Sequence, residues 1–201
     1  MAKKIVLATR NAHKAQELAR ILNDLHSDIE VLTVADFPDA PEVEETEDTF
    51  EGNALLKARA LVLYTGLPAV ADDSGLSVDA LGGAPGVYSA RYSGATENVD
   101  QANVELVLTN MEHIPDDQRT ARFVCAAVFV TPDGVEVATT GVLEGTLLRE
   151  SVGDNGFGYD PIFQPIGFDV TTAQMSPEEK DFISHRGQAL RQLAESMSTL
   201  I

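Results

Sequence analysis

The segment from Arg122 to Leu148 has the sequence RFVCAAVFVTPDGVEVATTGVLEGTLL. Its two halves are rich in β-branched and aromatic residues, a composition that is typical of β-strands. The tripeptide Pro132-Asp133-Gly134 between them favours a tight turn. The segment therefore predicts a long β-hairpin whose strands contribute an antiparallel pair to the central sheet.

The first third of the chain alternates strand patterns with helix patterns. Strands are predicted over residues 4–9, 29–34 and 68–71, and helices over about 12–25 and from near Thr49 to Gly66. Further helices are predicted over about 98–110, from Ser176 onward and near the C-terminus. This alternation, combined with the hairpin, predicts an α/β fold with a mixed central β-sheet flanked by helices.

The composition excludes several classes of protein. The chain has 201 residues, and 32 acidic side chains against 14 basic ones give a formal net charge of −18. This charge argues against binding a nucleic-acid polymer or an anionic membrane through a basic surface. No apolar run reaches the roughly 20 residues of a membrane helix, and Cys125, the single cysteine, allows no disulfide framework. We expect one cytoplasmic globular domain over residues 1–201.

The acidic residues are concentrated in one segment. Asp24 to Glu51 contains eleven acidic residues and no Lys or Arg, which is typical of a solvated loop. Within it, Glu42, Glu44 and Glu45 could also supply oxygen ligands to a hard cation.

The turn after the first strand is a candidate anion site. It contains Thr9, Arg10, Asn11, Ala12, His13 and Lys14. Free backbone N–H groups at a helix N-terminus attract phosphate, and Lys14 adds a full positive charge at the same end. A connecting turn with a solvated lysine is the alternative interpretation.

The sequence Asp72-Asp73-Ser74-Gly75 follows the predicted strand at 68–71. Two adjacent carboxylates are costly to bury unless they are solvated or bound to a cation. Because neighbouring residues of a strand face opposite ways, we expect one carboxylate to face a cleft and the other a structural partner. A cleft Asp can bind Mg²⁺ or orient an attacking water, whereas a capped turn is the equally weighted alternative.

Two later segments could contact a planar ligand. In the glycine-rich loop over residues 153–161, Phe157 or Tyr159 could stack on a base while Asp160 or backbone groups contact its edge. Hydrogen-bond donors cluster at Lys180, His185 and Arg186. The alternatives are a flexible loop whose aromatic rings lie in the core, and a surface patch that balances nearby acids.

Together these segments resemble the non-canonical purine nucleoside triphosphate pyrophosphatases, also called inosine or xanthosine triphosphate pyrophosphatases. The resemblance extends from Ile5 to about Leu193. Its ordered motifs are Leu7-Ala8-Thr9-x-Asn11-x-x-Lys14, Glu44-Glu45-Thr46, Asn53-Ala54 with Lys57-Ala58-Arg59, ADDSGL at 71–76, LGGAPGVYSARY at 81–92, GFGYDPIF at 156–163, and Lys180 with SHRGQA at 184–189.

The resemblance implies a reaction and an assembly. It implies hydrolysis of ITP, dITP or XTP with Mg²⁺ to the monophosphate and pyrophosphate, which removes these nucleotides from the pool. It also implies a homodimer of elongated two-lobed subunits, with the active site in the cleft between the lobes. Two alternatives remain: a Maf-like pyrophosphatase for modified pyrimidine nucleotides, and a non-catalytic nucleotide sensor.

The resemblance also implies roles for individual residues. Thr9 to Lys14 would grip the phosphates, supported by Lys57. Glu44 and Asp73 match the metal positions, and Asp73 also matches the proposed general base. Glu45 and Asp72 would assist at the metal, and Ser74 would touch the substrate. The base would be surrounded by Phe157, Gly158, Tyr159, Asp160, Lys180, His185 and Arg186.

Overall fold

The structure is a computed structural model that describes residues 3–10, 15–16, 19–20 and 29–197. Its strands are β1 (Lys3–Leu7), β2 (Ile29–Thr33), β3 (Ala69–Val78), β4 (Thr120–Val130), β5 (Glu136–Leu147) and β6 (Phe163–Pro165). Its helices are α1 (Phe50–Thr65), α2 (Val99–Asn110), α3 (Pro177–Ile183) and α4 (His185–Met197). Residues 15, 16, 19 and 20 are also helical, but most of the helix predicted over 12–25 lies outside the described residues.

The strands form one six-stranded sheet in the order β2-β1-β3-β4-β5-β6. Strand β1 runs parallel to both β2 and β3, whereas β5 and β6 are antiparallel. The sheet is therefore mixed, which confirms the predicted α/β class. Strand β6 was not part of the prediction, because its three residues are too few for a detectable pattern.

The predicted turn between β4 and β5 is confirmed. Thr131 N donates a hydrogen bond of 3.0 Å to Val135 O, and the Thr131 hydroxyl bonds Asp133 Oδ1 at 2.5 Å. Gly134 has a φ of 90°, a conformation that glycine adopts without strain.

The prediction of a strand that ends before Asp72 is wrong. Strand β3 continues from Ala69 through Asp72 and Asp73 to Val78. Turn-forming residues remain extended here because tertiary partners stabilise both carboxylates, as described below. A Cβ at Gly75 would collide with the Ser89 hydroxyl and the Gly86 carbonyl, so glycine permits close packing rather than a turn.

The helix ends lie at the capping residues that the sequence provides. Thr49 accepts a hydrogen bond of 3.0 Å from Gly52 N at the start of α1, and Gly66 adopts a left-handed conformation after its end. At the start of α3, Ser176 and Glu179 form a capping box. The predicted starts near Thr49 and at Ser176 are both confirmed.

The described residues fall into two compact units. Unit 1 takes its residues from 1–73, 125–141 and 186–201, and unit 2 from Ser74–Val124 and Val142–His185. In unit 1, one apolar cluster joins β1, β4 and α4 and includes Cys125, which is fully buried. The core of unit 2 joins β3, α2 and β4. The single domain with two lobes stays a prediction. No helix in the described ranges has both the length and the apolar character needed to cross a membrane.

Candidate active site

Asp73 is the centre of a polar cluster in unit 1. Its side chain is buried in β3, with only 6% of the residue exposed. Lys57 Nζ lies 3.3 Å from Asp73 Oδ1, and Asn53 Nδ2 lies 3.3 Å from Oδ2. Because Asn53 and Lys57 are one turn apart on α1, the helix presents an amide and an ammonium group to the same carboxylate.

Lys57 connects Asp73 to the acidic segment before α1. Its ammonium group lies 3.1 Å from Glu45 Oε1. Burial opposes the charge on Lys57, but the carboxylates of Asp73, Asp72 and Glu45 outweigh this effect and raise the pKa of Lys57. Lys57 is therefore a stable cation at neutral pH, in a position to meet an anionic ligand.

Asn53 is a functional candidate that the residue patterns alone did not identify. It is fully buried, and its Oδ1 accepts a hydrogen bond of 2.9 Å from Glu47 N. Asn53 therefore connects the backbone of the acidic segment to Asp73. The sequence indicates this role only indirectly. Asn53 is a polar amide on the same helix as Ala54 and Ala58, which are both fully buried.

Asp72 has a different environment from its neighbour. Arg186 Nε, at the start of α4, lies 3.3 Å from Asp72 Oδ2, and both residues are at most 2% exposed. Asp72 thus has the structural partner that was expected for one of the two carboxylates. Arg186, expected at the base, is engaged by Asp72 in this structure, and its role in base binding stays a prediction.

In unit 2, Asp160 organises the glycine-rich loop. Its Oδ2 accepts hydrogen bonds from Phe157 N at 2.8 Å and from Lys180 Nζ at 2.5 Å. Its Oδ1 accepts a bond of 2.8 Å from the Thr172 hydroxyl. These bonds give Asp160 a role in shaping the loop, and its contact with a base edge stays a prediction.

The two aromatic residues of this loop differ in accessibility. Tyr159 is buried in the core of unit 2, and its hydroxyl donates a hydrogen bond of 2.8 Å to Ser89 O. Burial is the main reason that the pKa of Tyr159 is raised. Phe157 is half-buried, and Lys180 Nζ lies 4.9 Å from the centre of its ring. Of the two alternatives for stacking, the structure therefore favours Phe157.

His185 and Ser74 complete the predicted residues of unit 2. His185 is 5% exposed and stacks on Phe123, with ring centres 4.9 Å apart and an interplanar angle of 14°. Ser74 is half-buried and directly follows Asp73 in β3. Roles for both residues in substrate binding stay predictions.

The first predicted anion turn is only partly described. Thr9 is half-buried, and Arg10 Nη2 donates a hydrogen bond of 2.6 Å to Ala40 O. Asn11, Ala12, His13 and Lys14 lie outside the described residues. The phosphate-binding role of this turn stays a prediction.

The carboxylates of unit 1 fit a hard cation in their chemistry. Asp73 is buried, Glu44 is exposed and Glu45 is half-buried. Over the described ranges, no three His, Cys, Asp or Glu side chains are grouped so that they could hold a metal ion. Mg²⁺ does not require such a group, because it is commonly bound by one or two carboxylates together with water and substrate phosphates.

Comparison with known proteins identifies the family. Residues 5–196 match the Ham1 family model. This chain belongs to the Ham1 family. It is 50% identical over 198 residues to a dITP/XTP pyrophosphatase of Streptomyces avermitilis, with 98% of both chains covered.

Two solved structures also match this Ham1-family chain. It matches the Ham1 protein of Staphylococcus aureus with a TM-score of 0.88 at 38% identity, covering 99% of this chain and 100% of the other. It also matches a dITP/XTP pyrophosphatase of Mycobacterium abscessus with a TM-score of 0.77 at 51% identity, covering 94% and 98% of the two chains.

Proposed function

We propose that this protein hydrolyses the non-canonical purine nucleotides ITP, dITP and XTP to their monophosphates and pyrophosphate. Family membership over residues 5–196 supports the reaction class, as do relatives named dITP/XTP pyrophosphatases. The observation that carries the proposal is the buried carboxylate of Asp73, which contacts a charged lysine at 3.3 Å within the family's motifs.

Asp73 and Lys57 account for the chemical step. Water attacks the α-phosphorus, a new P–O bond forms, and the bond to the bridging oxygen breaks, so that pyrophosphate leaves. Asp73 orients this water and accepts its proton. The ammonium group of Lys57 binds the phosphate oxygens on which negative charge accumulates. Thr9 to Lys14 add phosphate contacts through backbone N–H groups and the Lys14 charge.

We further propose that the enzyme requires Mg²⁺. Glu44 and Asp73 would hold the ion, with Glu45 and Asp72 in supporting positions. When bound, Mg²⁺ neutralises charge on the triphosphate oxygens. In a protein with a net charge of −18, this neutralisation makes binding of a highly anionic substrate favourable.

Base selection is assigned to the glycine-rich loop and the donors beyond it. Phe157 supplies a stacking surface, while Lys180, His185, Arg186 and backbone N–H groups supply hydrogen-bond donors. A 6-oxo group accepts such bonds, whereas a 6-amino group leaves the donors unpaired. An unpaired buried donor costs about 1–3 kcal/mol, which is enough to discriminate against ATP.

Pyrophosphate release tests the proposal directly. ITP, dITP, XTP, GTP, ATP and a modified dUTP should be compared with and without Mg²⁺. We expect release from ITP, dITP and XTP but little from ATP, and only in the presence of Mg²⁺. GTP shares the 6-oxo group, so its rate shows whether the 2-position of the base is read as well. Preferred hydrolysis of the modified dUTP would support the Maf-like alternative, and binding of ITP without release would support the nucleotide sensor.

We also propose that the protein is a cytoplasmic homodimer that acts on free nucleotides, as the family resemblance implies. Light scattering coupled to size-exclusion chromatography should give twice the chain mass of 21.5 kDa. The chain mass itself would contradict the dimer.

A further inference from the structure

The backbone around Phe157 is intrinsically adaptable. Gly156 and Gly158 on either side of it have φ values of 77° and 59°. Glycine reaches this left-handed region without steric cost, so these residues alone do not fix one loop conformation. Something else must hold the Phe157 ring in a single orientation.

Two consecutive backbone N–H groups of the loop are held by carboxylates. Phe157 N donates to Asp160 Oδ2, and Gly158 N donates to Asp100 Oδ2, both at 2.8 Å. Asp160 is buried and belongs to the loop's own segment. Asp100 is exposed and belongs to α2, 58 residues away in sequence. Lys180 of α3 also meets this loop, at the Asp160 carboxylate and over the Phe157 ring, so the Asp100 contact is the one that fastens the backbone after Phe157 to a second helix.

Helix α2 provides a firm anchor for this contact. Asp100 is the second residue of the helix, where a carboxylate is favoured by the helix dipole. The same helix buries Val104 and Val107 in the core of unit 2. The core therefore fixes the helix backbone that carries Asp100.

The loop is not tightly packed on the side of the Asp100 contact. Phe157 and Gly158 border a cavity of about 410 Å³, whose other walls include Asp100, Val104 and Glu105 of α2. A loop with an open space behind it can shift towards that space when a hydrogen bond is lost. The Asp100 contact thus limits the movement of Phe157 on this side.

We propose that Asp100 is a positioning residue for base recognition, acting through Gly158 N on the Phe157 ring. The inference rests on the proposed function, in which Phe157 receives the base. Asp100 itself contacts the loop and not the substrate. Its loss weakens binding of the base, whereas the chemistry at the α-phosphorus depends on Asp73 and Lys57.

The variants Asp100→Ala, Asp100→Asn and Glu105→Ala test this role. Asn retains an acceptor oxygen for Gly158 N but loses the charge, so it gives an intermediate effect. Glu105→Ala removes the same charge from the wall of the same cavity, but no hydrogen bond to Gly158 involves Glu105 among the described contacts. It therefore controls for electrostatics.

Two measurements are made on the full-length protein. The first is hydrogen exchange of the Gly158 amide by NMR without ligand, which should be roughly three- to tenfold faster in Asp100→Ala and unchanged in Glu105→Ala. The second is steady-state hydrolysis of ITP. The KM should rise roughly three- to tenfold in Asp100→Ala, with kcat changed by less than about twofold.

The outcomes separate this inference from the proposed function. Unchanged Gly158 exchange in Asp100→Ala overturns the inference, as does an equal rise in KM in Glu105→Ala. A fall in kcat with unchanged KM also overturns it. Wild-type protein that leaves ITP intact overturns the proposed function, and with it the role of Asp100 in base recognition. The exchange result would still show whether Asp100 holds the loop.

Discussion

Units 1 and 2 each contain a buried aspartate paired with a lysine, but the two pairs are built differently. In unit 2, Lys180 Nζ lies 2.5 Å from Asp160, which also accepts bonds of 2.8 Å from Phe157 N and Thr172 Oγ1. In unit 1, the bonds from Lys57 and Asn53 to Asp73 are both 3.3 Å long.

The difference indicates which carboxylate is suited to chemistry. Short, charge-assisted bonds from several donors fix Asp160 and the loop around it. Among the described contacts, Asp73 has longer bonds to side-chain donors, and Lys57 is shared with Glu45. Bonds of this length are weaker than those to Asp160, so they are more easily exchanged for water, a phosphate-bound cation or substrate. This contrast supports the proposal that the pair in unit 1 takes part in the reaction, whereas the Asp160 carboxylate of the pair in unit 2 shapes its loop.

The largest expected effect is loss of turnover in Asp73→Asn. The amide retains the shape of the side chain but accepts no proton, so kcat for ITP should fall by up to about 10⁴-fold. The thermal unfolding midpoint should remain close to that of the wild type. Near-normal turnover would remove Asp73 from the centre of the mechanism.

The corresponding change in unit 2, Asp160→Asn, should act mainly on stability. It weakens the bond to Lys180 and leaves a half-buried ammonium group without its counter-charge, which costs about 1–3 kcal/mol. Urea unfolding should report this loss as a lower midpoint with an unchanged slope. A stable variant with reduced kcat would reverse the roles assigned to the two pairs.

A smaller effect is expected from Lys57→Met. Loss of the ammonium group should raise the KM for ITP by about tenfold, because one charge-assisted phosphate contact disappears. Lys57→Arg retains the charge and serves as the matched control, with a KM nearer the wild-type value. A KM for the Lys57→Met variant equal to that of the wild type would exclude Lys57 from phosphate binding.

The smallest effect is a pH dependence of stability in unit 2. The pKa of Tyr159 is raised in the folded protein, so its contribution is fully present below the unfolded value of about 10. It is lost as pH rises above that value, because the unfolded chain releases the proton first. As pH rises above about 10, stability should fall more steeply in the wild type than in Tyr159→Phe. Parallel curves of stability against pH for the two proteins would contradict a raised pKa of Tyr159.

Much of the fold could be predicted because its signals are local. The turn at Pro132-Asp133-Gly134, the Ser176 cap and the Gly66 helix end each depend on a few neighbouring residues. The extension of β3 could not be predicted in this way. Asp72 remains in the strand with Arg186 as its partner, and the two residues are 114 positions apart in sequence.

The candidate site could likewise be predicted only in part. The family motifs already placed Lys57 and Asp73 in one candidate site. They gave no reason to connect Asp100 with Gly158, or the backbone of Glu47 with Asn53, because these contacts depend on how distant segments meet. Residue type and the family resemblance placed Asp160 at the base. Its bonds to Phe157, Thr172 and Lys180 could not be predicted, and its contact with the base stays a prediction.

The most direct test of the central claim is hydrolysis of ITP in water enriched in the heavy oxygen isotope, followed by mass spectrometry of the products. Attack at the α-phosphorus places the label in inosine monophosphate and leaves pyrophosphate unlabelled. This is the result that the account predicts. Label in pyrophosphate, or release of inorganic phosphate in its place, would contradict it.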